Sequence, residues 1–408
     1  MFWTPEMCLL GAGLIVSLIA MIGLPILLKV VDEELGYFFL LLGGAVLWLA
    51  FSNGIVIFEH GDFIQTAMHG HRESLVGILA EPKLLLLFYF GLSLGALVFR
   101  RQIETVVRAA AKRFSPGLLV GGFIFLVGNL GSVSVVVMAT FGGIFFVTLQ
   151  KITHRNFTSC VVVFSAAIGI SALLTTVGEP LSLFIARNLG EGTAYLLRTY
   201  TGIVLVNVSL LALLGGWLAA RAPKLTETKE EAMVREVNEA ETEVVAQREG
   251  GKEVTEALMA VEVYEEEQHN LMHEVDRLLH STAKLYFFVI GLLLFGEGVK
   301  PIAAHVFSSL SPMAAFFGNA ISAVADNALL GLLEVQKGMP QHVVFVLGLS
   351  LAFWGVGLVP GNVCNIVLKE KLEISFGTWA KAGVPLALLL AAVNFALVLL
   401  GAGHRLTF

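Results

Sequence analysis

Charge is what this sequence has least of. Only 14% of its 408 residues are charged, 56% are hydrophobic, and the mean hydropathy is +0.82. A soluble chain of this length rarely reads so apolar. The runs 8–28 and 36–58 carry no charge at all, and each reaches the roughly 20 residues that cross a bilayer. Cysteine is nearly as scarce. Cys8, Cys160 and Cys364 lie far apart, each in or beside an apolar run. That spacing argues against a disulfide framework and against a thiolate metal site, and leaves three small buried hydrophobes. No basic cluster recommends nucleic acid as a partner, and no H-E-x-x-H string or nucleophile–base pair recommends an enzyme. The first run has neither a basic leader nor an A-x-A-type cleavage site, so it is expected to stay as a span.

What is present reads as an all-α polytopic membrane protein. Full spans are expected near 8–28, 36–58, 84–99, 199–220, 285–304 and 378–402. Two segments, 157–186 and 342–368, are long and broken in the middle. Two others, 116–149 and 308–335, are too long for one crossing and short for two, because a helix rises only about 1.5 Å per residue. A re-entrant hairpin, two half-helices meeting inside the membrane, fits both. Lys and Arg support this for 116–149. With that segment as a hairpin and the basic stretch 100–114 cytoplasmic, most of the 26 Lys/Arg fall on one side. As a single span it would divide them almost evenly near the membrane, and the preference rests on the flanks of 221–284. That region holds 16 Asp/Glu against 8 Lys/Arg and reads as an acidic cytoplasmic spacer, partly amphipathic helix around 270–280, where Leu271, Val275, Leu278 and Leu279 share a face.

The order of elements repeats. A span, a hairpin, a broken helix and a span occupy 84–220, and the same series occupies 285–408. The N-terminal spans and outer loop (residues 1–83) precede the first series, and the acidic loop 221–284 separates the two. The charge-derived topology gives the two units opposite orientation. Inverted repeats with interrupted helices are the build of secondary transporters, whose sites lie at the breaks. In "TTVGEPLS", Gly178 and Pro180 flank Glu179; in "VPGNVCNIV", Pro360 and Gly361 precede Asn362. Proline removes a donor and glycine tolerates unusual dihedrals, so backbone carbonyls are freed there. The hairpin tips "GNLGSVS" and "SAVADNALL" offer oxygen donors of the type hard cations accept. Two polar centres are expected: Asn129 with Ser132, Thr175, Thr176 and Glu179, and Asp326 with Asn327, Asn362 and Asn365. Asp326 is the sharper clue, since a carboxylate at the bilayer centre costs about 2.5–3.5 kcal/mol on insertion scales. Its structural alternative is an acid that caps hairpin backbone.

At these four strings the sequence resembles the sodium/proton antiporter family of the ion transporter superfamily. The resemblance covers 84–402 in order of elements. It implies a coupling cation bound at hairpin tips and helix breaks, by position at Asn129, Glu179, Asp326, Asn327 and Asn362, and a homodimer. Carboxylate symporters of the superfamily carry Ser-Asn-Thr triplets at the tips; this chain has "GNLGS" and "ADNAL", with acids added. The expected function is therefore sodium or lithium exchange for protons across the cell inner membrane, with no cofactor or resident metal. The alternative is a sodium-coupled anion symporter. Glu297 reads as an interfacial or paired charge beside Lys300, and Glu334 as a surface residue. His60, His69 and His71, with Glu59, Asp62 and Glu73, fall in the loop 59–83, which reads as solvated in preference to a metal or pH-sensing site.

Overall fold

The structure, a computed structural model, describes residues 35–65, 71–80, 82–225, 272, 275–300 and 311–401. The expected span 8–28, most of the acidic loop, and His69 lie outside the described residues. The described chain is mostly helical, and five stretches are long and apolar enough to cross a membrane: Leu75–Val98, Val135–Thr153, Thr193–Ala220, Val275–Lys300 and Phe376–Leu399. This is the composition of a membrane-embedded helical protein.

Helix α1 (Leu35–Ser52) ends well before the 36–58 run does. The chain leaves it as a strand, β1 (Val56–Glu59), which pairs antiparallel with β2 (Asp62–Gln65) and through it with β3 (His71–Ser74). The expected single span 36–58 and the plain loop 59–83 are both corrected here. The cause is the two-residue turn His60–Gly61, with φ of 53° and 89°. Positive φ at both central residues matches the twist of paired strands. Phe58 and Phe63 then face each other, ring centroids 5.0 Å apart. The short helix α2 (Leu75–Ala80) leads into α3 (Lys83–Val98) and the amphipathic α4 (Arg100–Ala111), whose Arg100 pairs with Glu104 at 3.1 Å.

Next come two antiparallel arms, α5 (Pro116–Gly128, prolonged by a 3-10 turn to Ser132) and α6 (Val135–Thr153). Ser115 and Ser134 cap their starts. Phe123 and Phe145 stack between the arms at 3.7 Å. Both outer ends of this pair lie at one end of the later helix α9 (Thr193–Ala220). A Cβ on Gly117 would sit 2.8 Å from Gly216 O, and Arg155 Nη1 donates to the carbonyls of Ala220 and Ala222 at 3.4 Å. Between α6 and α9, helix α7 (Thr158–Ser171) continues as a 3-10 turn to Leu174; the chain then runs non-helical and restarts at Pro180 as α8 (Pro180–Leu189).

The second half follows similar lines. Helix α10 (Val275–Lys300) absorbs the end of the acidic region; Leu278 is buried and Leu279 exposed, so the two do not share a buried face. Helices α11 (Pro312–Gly318) and α12 (Ser322–Ala325), joined by a 3-10 turn, run to Asp326, where the chain turns back as α13 (Asn327–Glu334). Helix α14 (Gln341–Trp354) breaks through Val359–Gly361 and restarts as α15 (Val363–Lys371), before α16 (Phe376–Leu399). The halves interlock: α8 packs on α13, and α15 packs on α6. Asn207 of α9 and Asn394 of α16 exchange two hydrogen bonds of 2.9 Å in fully buried surroundings.

Candidate functional site

Three half-helices begin in one buried place. Glu179 stands at the N-cap of α8, Asp326 at the N-cap of α13, and Asn362 directly before α15. Proline at the first position of α8 removes an N–H that would have no helical partner anyway, which fixes the restart. Gly178 is obligatory for space: a Cβ there would lie 2.6 Å from Ala172 O. Gly361 is equally confined, its Cβ direction filled by Gly355 O.

Asn362 links the breaks. Its Nδ2 donates to Glu179 Oε2 at 2.9 Å, while its Oδ1 accepts from the Cys364 N–H at 3.1 Å. Asp326 Oδ1 accepts from the N–H groups of Ala328 (2.9 Å) and Leu329 (3.2 Å). The acid is therefore a cap for its helix, as its structural alternative requires, but with one oxygen only. Asp326 Oδ2, Glu179 Oε1 and Asn327 Nδ2 are buried with no hydrogen-bond partner among the described residues. Asp326 acts on the Glu179 carboxyl electrostatically and the Asn327 side chain lies beside it, so the three share one low-dielectric region. All four side chains are at most 2% exposed. Leaving such oxygens unpaired costs about 1–3 kcal/mol each, and the positive ends of α8, α13 and α15 offset part of the negative charge.

The grouping differs from the two expected centres, because Glu179 joins Asn362, Asp326 and Asn327 across the halves. Asn365 braces the second break, donating to Gly355 O and Leu358 O at 2.8 Å each and accepting from Ser165 Oγ at 2.7 Å. Asn129 turns its amide onto Phe125 O of its own helix at 2.7 Å. Ser132 and Thr175 tie the first turn to the first break through the Ser132 carbonyl, and Thr176 bonds Thr193 at 3.1 Å. Pro360 sits half-buried inside the second break.

One other acid is placed against expectation. Glu334 is not at the surface: it is 2% exposed, and its Oε2 accepts from Asn319 Nδ2 at 3.0 Å. The same nitrogen donates to Ser350 Oγ at 2.8 Å. A charge beside a polar tail reads as a surface charge, yet the chain turns there only after burying Glu334 against α14. Glu297 is fully buried and paired with Lys300 at 2.7 Å. Cys364 does more than fill space, its thiol lying 3.2 Å from both Asn362 Oδ1 and Ser165 Oγ. Ser165 and Asn319 carry no sequence signal beyond being polar in an apolar run. His60 is exposed, 3.7 Å from Glu59. The family described as "Protein of unknown function (DUF1646)" matches residues 11–400. No curated protein matches the chain.

Proposed function

The chain belongs to that family, and we propose that it is a secondary active transporter exchanging sodium or lithium for protons across the cytoplasmic membrane. The observation that carries this is the pair of buried carboxyls, Glu179 and Asp326, from different halves of the chain, each with one oxygen that accepts no hydrogen bond from a described residue. Each helix N-terminus supplies about half a positive charge. Three such ends offset most, but not all, of two carboxylates. The remaining half negative charge draws in one monovalent cation or one proton and leaves no charge to hold a second, so the two compete for one place. If both loaded forms change sides and the charged empty form does not, exchange is obligatory. Glu179 Oε1 and Asp326 Oδ2 supply the ligand oxygens. Asn362 positions the Glu179 carboxyl, and Asn365 holds the broken backbone open.

The finer architecture belongs to the same reading: 116–149 and 308–335 act as re-entrant hairpins, and 84–220 and 285–408 as inverted repeats. What supports the first hairpin is that the flanks of its two arms meet the same end of α9, and what supports the second is the Asn319–Glu334 hydrogen bond across its turn. What supports the repeats is reciprocity. Each post-break helix packs on the return arm of the other half, and Asn207 and Asn394 donate and accept alike.

The test is sodium- or lithium-driven proton movement in inverted membrane vesicles. Wild type is expected to collapse a preset pH gradient when either cation is added, and Glu179→Gln and Asp326→Asn are expected to fall to the level of vesicles lacking the protein. Wild-type-like exchange in both variants would sink the mechanism. Sodium uptake that needs an anion and moves no protons would replace it with symport.

A further inference from the structure

A cavity of about 300 Å³ lies between the N-terminal region and the first helix break. It is lined by Gly77 and Ala80 of α2, Lys83 and Leu85 of α3, Thr176 and Val177 of the turn before α8, and Leu183 of α8. Its inner wall is therefore the stretch that ends in Glu179. Thr176 is half-buried and hydrogen-bonded to Thr193, the first residue of α9. That end of α9 is opposite the one met by Gly117 and Arg155. Glu179 itself does not line the cavity and is 1% exposed. The chain from Thr176 to Glu179 is non-helical and spans at most about 10 Å.

We propose that this cavity is the vestibule through which monovalent cations reach Glu179 from the face carrying the β-sheet. The inference rests on the transport reading and gives helix α2 and Lys83 a role in it. Helix α2 forms the outer wall. The Thr175–Gly178 stretch forms the floor, which must shift to admit an ion. Lys83 lines the cavity and is exposed, which puts a positive charge near the path of a cation. It lowers the local cation concentration and so sets the sodium level at which the vestibule fills.

The experiment uses full-length protein with Cys8 replaced by serine, the buried Cys160 and Cys364 left in place, and Thr176→Cys introduced. A membrane-impermeant cationic thiol reagent is expected to label Thr176→Cys from the sheet-bearing face only. Gly77→Trp is expected to block that labelling, since a Cβ at Gly77 meets nothing nearer than Ser74 Cβ at 3.6 Å and the larger ring can enter the cavity. Lys83→Gln is expected to lower the sodium concentration for half-maximal exchange roughly two- to fivefold. No labelling from either face, as for a cavity filled by lipid, overturns the proposal, and so does labelling that Gly77→Trp leaves unchanged. Labelling blocked by Gly77→Trp in a protein that exchanges no protons for sodium supports the vestibule and overturns the antiport reading alone.

Discussion

Asp326 occupies a backbone conformation that side chains resist. Its φ of 57° with ψ of 129° lies outside the regions open to L-residues, and such positions cost about 1–3 kcal/mol. The residue holds it because its carboxylate closes the turn, accepting from two N–H groups of the helix it starts. Charge and strain can therefore be separated by substitution. Asp326→Ala loses the cap and keeps the strain, while Asp326→Gly loses the cap and relieves the strain. Glycine is expected to be the more stable of the two by about 1–2 kcal/mol, read as a higher unfolding temperature in detergent, with both variants unable to exchange. Alanine equal to glycine would mean that the turn is not held as described. The acid itself stands out in the sequence as a lone charge in an apolar run. Its dihedrals do not, because they follow from how α12 and α13 meet.

At the scale of elements, the arms α11–α12 and α13 are joined by a polar contact across the turn. Asn319 lies seven residues before Asp326 and Glu334 eight after it, so they meet at equal depth. Removing Asn319 strands a buried carboxyl, which costs about 1–3 kcal/mol. Asn319→Ala is accordingly expected to lower stability by that amount in thermal unfolding, and to cost clearly less when combined with Glu334→Gln. Equal costs in both backgrounds would show that the contact does not brace the arms. How much of this is legible in the sequence varies by element. The helix breaks at Gly178–Pro180 and Pro360–Gly361 are legible, because proline and glycine act locally. The β-hairpin is hidden because its first strand continues the apolar run of α1, so only the His60–Gly61 turn marks it. Glu334 eludes a local reading because its burial depends on what α14 brings against it, and no neighbouring pattern carries that. The site is legible as a set of residues but not as a grouping, since the Asn362–Glu179 bond spans the two halves.

The whole molecule makes a topological claim that can be checked directly. Gly117, Arg155 and Ala220–Ala222 lie together at one end, and α3 runs between the sheet and α4. Single cysteines at Arg113 and His154 are expected to be labelled from the same side of the membrane, and one at Gly61 from the other. Labelling of Arg113 and His154 from opposite sides would turn 116–149 into a single crossing and undo the inverted arrangement. The interlocking of the halves also has a consequence for how the protein is made. Glu179 and Asn362 stand 183 residues apart in the chain. At about 5–20 residues per second of synthesis, the acid leaves the ribosome about 10–40 s before the amide that will hold it. During that interval the nascent first half carries a carboxyl whose hydrogen-bond donor has not been translated. Completion of the site is thus a late step of biogenesis, and a chain that stops short of Asn362 is left with the Glu179 carboxyl lacking its donor.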